Sequence, residues 1–294
     1  MIDKLEYLLA LSRERHFGRA AAACGISQPT LSAAVKQVEE TLGVLLVNRG
    51  SRFQGFTPEG ERVLDWARRI VGDARTMREE LRASRTGLAG HLRLAAIPTA
   101  LASVAMLTTP FGARHPGVTF SVNSRSTVEI LSELENLELD AALGYLTPDL
   151  GRVRVVPLYR EHYALVIAAA NPFAARTHLR WQELPDLPLC LLGPEMQNRR
   201  ILDARLRAAG RTANPTLESN SITVLLSHVR SGHWASILPA AVVRAFELPA
   251  TIRDIPIEDA GESPSIGLIY PFREPLTPLV AAFVGEARRQ ATNI

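Results

Sequence analysis

The sequence predicts an α/β fold: an all-α-rich N-terminal part followed by a two-lobed remainder. Three observations carry this. Residues 3–42 place apolar side chains at helical spacing, broken at Gly25. Residues 58–85 form one long periodic stretch with no proline after Pro58. From residue 91 onward, short apolar runs alternate with helical ones.

Taken in order, the first helix is expected over 3–15, with Leu5, Leu8, Leu9 and Ser12 as its packing face. The second carries Phe17, Ala20, Ala21 and Ala22 with Cys24 and Ile26 behind them, a small-residue face that lets a neighbour approach closely. Gly25 ends it, because glycine accepts the left-handed conformation that a helix stop uses. Ser27 is the N-cap of a third helix and Pro29 fits its first turn, where N–H groups lack intrahelical partners. Leu31, Val35, Val38 and Leu42 then form its buried stripe, leaving Thr30, Ser32, Ala33, Lys36 and Gln37 on the open side. Two helices around a tight turn with a small, polar open face suit a DNA major groove; an ordinary solvated helix is the other reading of the same pattern. The apolar run 44–47 leads into a basic, Gly-flanked turn with Arg49 and Arg52, which reads as the wing of a winged helix-turn-helix.

Here the chain resembles the LysR-type transcriptional regulators. AAAACGISQPTLSAAVKQVEETLGVLLVNR followed by FTPEGE matches their order and spacing without gaps. The resemblance implies a DNA-contacting set of Arg19, Ser27, Gln28, Pro29, Thr30, Ser32, Ala33, Lys36, Arg49 and Arg52. It also implies a pseudo-palindromic double-stranded operator. Many members carry Arg after the recognition-helix Ser, whereas Ala33 and Ala34 follow Ser32, so thymine-methyl contact or none is expected there.

Thr57 and Pro58 open the next helix, with Val63, Ala67, Ile70, Ala74, Met77 and Leu81 recurring at 4, 3, 4, 3 and 4 as a heptad seam. Such a helix, about 40 Å long, is shaped to pair with a twin; packing on its own domain is the alternative. A homodimer would read two half-sites, and the resemblance adds assembly to a homotetramer. Residues 86–90 form a hinge. The boundaries expected are thus 1–57 for the DNA-binding domain, 58–90 for the linker and 91–294 for an effector domain.

In the last region, strands at 91–97, 118–123 and 139–143 alternate with helices at 99–108 and 127–137, a βαβαβ order that calls for a largely parallel sheet. After strands at 153–160 and 163–169 the scheme repeats through strands at 188–192, 216–219 and 235–238 and helices at 197–209 and 222–231. A strand at 265–270 and a helix at 276–290 return to the first lobe, giving lobe 1 as 91–161 with 265–294 and lobe 2 as 162–264. Two lobes joined by two crossings resemble the periplasmic-binding-protein architecture of LysR-type effector domains.

Open α/β sheets bind ligands beyond the carboxyl ends of their strands, beside helix N-termini. Thr99 with Ala100, and Thr127, stand there, and the expected ligand is an anionic small molecule, a carboxylate. Plain N-capping is the competing reading of both threonines. By resemblance the loops with Met196, Asn198, Ser221 and Trp234 face the same cleft. Trp234 would shrink the pocket and favour a small effector, or else serve as a core aromatic. The segments VNRGSRFQGFTPEGERVLDWARRIV, PLCLLGPEMQNRR and PTLESNS further resemble a LysR-type subgroup associated with formate dehydrogenase genes.

Bulk properties agree. At 294 residues, 47% hydrophobic and 21% charged, the chain has room for two or three domains. Residues 1–90 hold 14 Lys or Arg against 11 Asp or Glu, and the rest 19 against 19, so the entire basic excess lies in the DNA-reading third. Cys24 and Cys190 fall in different domains, against a disulfide, and Cys190 sits in the apolar run PLCLL. The seven histidines lack zinc spacing, so neither a metal nor a cofactor is expected. Charged opening residues and the lack of a long apolar run point away from a signal peptide or membrane and toward the cytoplasm. No G-x-S-x-G, P-loop or metal-ligand spacing marks an enzyme; the alternative reading is a two-lobed enzyme or solute-binding domain tethered to DNA.

Overall fold

The computed structural model describes residues 1–48, 53–258, 261 and 263–292. It divides into two units: Met1–Gly87 with Glu135–Glu138 and Arg273–Pro278, and Leu88–Leu134, Leu139–Phe272 and Leu279–Ile294.

The first unit is built on four helices, α1 (Ile2–Glu14), α2 (Phe17–Ala23), α3 (Gln28–Leu42) and α4 (Pro58–Thr86). Leu8, Leu11, Leu31, Val38, Leu46, Leu64 and Ala67 close into one core, so the first half of α4 packs as part of the DNA-binding unit. Gly25 (φ 67°) and Gly43 (φ 69°) take the left-handed conformation at the ends of α2 and α3. Glu39 lies among the buried residues of α3 because its carboxylate accepts the Leu46 and Val47 N–H groups at 2.8 and 3.3 Å. Beyond it Val47 pairs with Phe56 in an antiparallel bridge, and Asn48 N donates to Gly55 O at 3.0 Å, which fixes the base of the expected wing.

Three packing expectations need correction. Leu42 is 48% exposed, since α3 ends there and the chain turns away before reaching the core. Ala22 is likewise exposed, and the close face of α2 is Ala20 and Ala21. On α4, Ala67 and Ala74 are buried within the chain, so the exposed apolar stripe runs instead through Trp66, Ile70, Met77 and Leu81.

In the second unit β1 (Gly90–Ala96), β2 (Val118–Ser124), β3 (Ala141–Tyr145), β4 (Val153–Arg160) and β11 (Ser265–Pro271) form one sheet, ordered β2-β1-β3-β11-β4. A 3₁₀ turn (Pro98–Val104) leads into α5 (Ala105–Arg114), and α6 (Thr127–Glu135) and α10 (Pro278–Ala291) complete the first lobe. The second lobe holds β5 (Tyr163–Ala168), β6 (Leu179–Arg180), β9 (Ser236–Pro239) and β10 (Ile252–Glu258) in the order β6-β10-β5-β9. The parallel pair β7 (Cys190–Leu192) and β8 (Leu217–Ser219) adjoins β9 through a Leu189–Ala235 bridge. Its helices are α7 (Gln197–Ala208), α8 (Ile222–Arg230) and α9 (Ala240–Ala245). The chain passes from the first sheet to the second between Arg160 and Tyr163, and returns between Glu258 and Ser265.

The sheets are less parallel than expected. β1 is parallel to β2 and β3, but β11 runs antiparallel to both β3 and β4, and β5 antiparallel to β9 and β10. The reason is the second crossing: a strand that re-enters lobe 1 from the far lobe arrives from the opposite end. No helix among the described residues is long and apolar enough to cross a membrane.

Candidate DNA interface and effector cleft

The recognition unit begins with a residue outside the sequence-derived set. His16 caps α2, its Nδ1 accepting from Gly18 N at 3.1 Å and Arg19 N at 3.3 Å, which requires the unprotonated Nδ1 lone pair. Arg19 is anchored to the end of α1, donating from Nη2 to Glu14 O at 2.6 Å and pairing with the Glu14 carboxylate at 3.3 Å. Ser27 caps α3 by accepting Thr30 N at 3.3 Å, and its hydroxyl meets that of Thr30 at 2.8 Å.

Gln28, Pro29, Thr30, Ser32, Ala33 and Lys36 are all exposed on α3, together with Gln37, while Ala34 turns into the core. Among the described residues Lys36 makes an exposed pair with Glu40, at 3.5 Å, a contact of the weak surface class that a phosphate would displace. Arg49 and Arg52 lie outside the described residues. Lys36→Ala is expected to weaken binding to all DNA sequences alike and to lower the slope of log K against log salt by about one. Gln28→Ala should instead lower the ratio of specific to nonspecific affinity. Salt titrations on operator and random duplexes separate the two, and an unchanged slope for Lys36→Ala would remove it from the phosphate contacts.

The second unit holds a cavity of about 650 Å³ between its lobes, lined by Pro98, Leu101, Ser124–Ser126 and Glu129 from the first lobe and Met196, Asn220–Thr223, Val242 and Phe246 from the second. Of the candidate effector residues, Met196 and Ser221 line it. Thr99, Ala100, Thr127 and Asn198 do not line it: Thr99, Ala100 and Asn198 are buried, and Thr99 and Ala100 stand in the chain between the lining residues Pro98 and Leu101.

The competing capping reading of the threonines does not describe them. The 3₁₀ turn at Thr99 has no side-chain cap, and the buried Thr99 Oγ1 and Thr127 Oγ1 have no partner among the described residues. Because Ala96 of β1 registers with Ser124 of β2, each threonine follows the end of one of two neighbouring parallel strands by three residues. Unpaired buried hydroxyls are costly, and both follow residues that line the cavity, Pro98 and Ser126.

The α6 N-terminus, by contrast, carries a capping box. Glu129 accepts Ser126 N and Ser126 Oγ, both at 2.8 Å, and these hydrogen bonds, the backbone one foremost, lower its pKa. A second anion there would meet the like charge of the Glu129 carboxylate. The open helix ends belong to lobe 2: neither Met196 before α7 nor Ser221 before α8 caps its helix with a side chain. Both face the cleft, and the dipoles favour negative charge there.

Trp234 does not line the cavity. It packs beside the lobe 2 core and stands edge-on to His228 and His233 at 5.6 and 5.5 Å, so it does not shrink the pocket. Sequence reasoning passed over Arg125, Glu129, Thr223 and Phe246, which do line it; the polar run Ser124–Thr127 after a strand was the available signal.

Cys190 is fully buried, and burial pushes its thiol up to about 11. Its Sγ donates to main-chain carbonyls of Leu225 and Ala235.

The family described as "LysR substrate binding domain" matches residues 85–292, and "Bacterial regulatory helix-turn-helix protein, lysR family" matches residues 2–61. The hydrogen peroxide-inducible genes activator of Haemophilus influenzae is 28% identical over 278 residues, covering 94% of this chain and 92% of the relative. The DNA-binding transcriptional dual regulator OxyR of Escherichia coli is 28% identical over 276 residues, covering 94% and 90%. A full-length OxyR from Pseudomonas aeruginosa carrying a cysteine-to-aspartate substitution superposes with a TM-score of 0.77 at 27% identity, covering 99% of this chain and 94% of that one. The expected formate dehydrogenase subgroup finds no support in these comparisons. The chain belongs to the LysR family of DNA-binding transcriptional regulators and is not an enzyme.

Proposed function

We propose that this regulator, acting in the cytoplasm as a homodimer or homotetramer on a pseudo-palindromic operator, is controlled by an anionic small molecule bound between the lobes of its effector domain. The observation that carries the reading is the cleft itself. It combines two open helix N-termini with an apolar wall from Leu101, Val242 and Phe246, and the unpaired Thr99 and Thr127 hydroxyls follow its lining residues Pro98 and Ser126 in the chain. A carboxylate with an apolar body fits this lining better than formate, which would leave most of about 650 Å³ unfilled.

The relatives named for hydrogen peroxide raise thiol chemistry as a second reading. This chain's cysteines do not favour it, because the nucleophile of such chemistry is a thiolate. Cys190 is buried with a raised pKa, and Cys24, the other cysteine, lies in the first unit.

The test is a footprint on the DNA upstream of the gene, with and without a panel of carboxylates from formate to aromatic acids. One acid is expected to shift or shorten protection in the parent. Thr99→Val, which keeps the shape and deletes the hydroxyl, should lose that shift while retaining operator binding. A normal shift in Thr99→Val would remove Thr99 from the site, and protection that ignores every acid would sink the anionic-effector reading. A ligand with a differential affinity of about 1–3 kcal/mol for the two arrangements suffices for control.

A further inference from the structure

The crossing between lobes contains a buried polar cluster that the cleft does not use. Glu161 is 1% exposed, and its main-chain N donates to Pro264 O at 2.8 Å, so it ties the two crossings together. Its Oε2 accepts the Tyr145 hydroxyl in a short hydrogen bond and the Tyr163 hydroxyl at 3.1 Å. Asn198 Nδ2 in turn donates to Tyr145 OH at 3.0 Å. Tyr145 ends a strand of the first lobe and Asn198 lies in the first turn of α7 in the second, so this is an interlobe hydrogen bond with a carboxylate behind it. Two acceptors in the cluster, Glu161 Oε1 and Asn198 Oδ1, have no partner among the described residues.

We propose that Glu161 is a positioning residue for effector response: uptake of one proton from solvent on its unpartnered oxygen alters its hold on Tyr145 and so the latch between Tyr145 and α7. This rests on the cleft reading above, because the open end of α7 borders the cleft. Among the described residues the groups acting on the carboxyl are Tyr145 from β3, Tyr163 from β5 and Tyr159 from β4, none of them a cation; Asn198 from α7 reaches it through Tyr145, and Arg244 from α9 acts on Tyr159. Desolvation accordingly raises the Glu161 pKa to about 7, although the two tyrosine hydrogen bonds oppose it. Ionised, Glu161 draws both hydroxyls strongly. Protonated, it becomes a weaker acceptor and gains a donor, one hydroxyl away from the vacant Oδ1 of Asn198.

Trp181 reports on this cluster, because its ring stands edge-on to Tyr163 at 5.8 Å. In the full chain carrying Trp66→Phe and Trp234→Phe it is the one remaining tryptophan. Its emission, followed from pH 5 to 9, is expected to show a transition near pH 7 that Glu161→Gln abolishes and Glu161→Asp retains. Amide exchange in α7, corrected for intrinsic rates, should differ between pH 6 and pH 8 in this background. Asn198→Ala should erase that difference while leaving the Trp181 transition. A flat emission profile, a transition that survives Glu161→Gln, or α7 protection equal at both pH values overturns the proposal. No effector is added, so these outcomes are independent of the carboxylate footprint, whose failure would strike the cleft reading alone.

Discussion

Met77→Glu combined with Leu81→Glu is expected to yield a monomer whose operator affinity falls at least a hundredfold. Trp66, Ile70, Met77 and Leu81 are 60%, 43%, 54% and 63% exposed on one chain, at spacings of 4, 7 and 4 along α4. That is a helical stripe with no cover from its own unit. Burying a large apolar side chain contributes about 1.5–3 kcal/mol, so the stripe supplies several kcal/mol to a helix pair, and two glutamates facing their copies would reverse the sign. Linking two half-site readers raises affinity by roughly 10²–10⁴ through effective concentration, and that factor is what the variant forfeits. Sedimentation equilibrium and gel shifts on one- and two-half-site duplexes measure both consequences. A variant that stays dimeric would place the self-association elsewhere.

That stripe also shows where the sequence could and could not be read. Periodicity identified α4 and its length, because a 29-residue run without an internal proline or glycine break of consequence has no other compact solution. It could not choose between two apolar faces 100° apart. Ala67 and Ala74 look like seam residues in a list of spacings, but both are buried within the chain, Ala67 in the core that α4 shares with α1. The turn was legible at Gly25, where φ is positive. Gly60 was not. A Cβ there would stand 2.1 Å from the Leu46 carbonyl, a demand set by a chain segment fourteen residues away. β10 escaped notice for a related reason: Arg253, Asp254 and Pro256 break the apolar alternation, and only pairing with β5 and β6 makes the segment a strand. At the cleft, hydroxyls after strand ends were readable as candidates. The Glu129 carboxylate at the α6 terminus was readable too, since Ser126 and Glu129 have the spacing of a capping box. The Glu161 cluster left no sequence signal, since its four members are brought together by two lobes and a crossing.

Glu161→Gln is expected to flatten the pH dependence of stability between about pH 4.5 and 7. The carboxyl titrates near 4.5 when exposed and at about 7 in the fold, so over that window the native chain holds a proton that the unfolded chain has released. Stability then falls as pH rises, and the contribution present below the unfolded pKa is lost by the time the folded pKa is passed. A displacement of this size corresponds to about 3 kcal/mol. The physical content is desolvation: above pH 7 the native state keeps an ionised carboxylate 1% exposed and facing three tyrosines rather than a cation. The glutamine variant retains an acceptor for the tyrosine hydroxyls but never carries the charge. Parent minus variant should therefore decline steadily through the window and stay level above it, while the histidines, common to both, cancel. Urea unfolding of both proteins at half-unit steps from pH 5 to 8 measures the difference. Parallel curves would mean that the buried carboxyl pays no desolvation cost and ionises in its ordinary range.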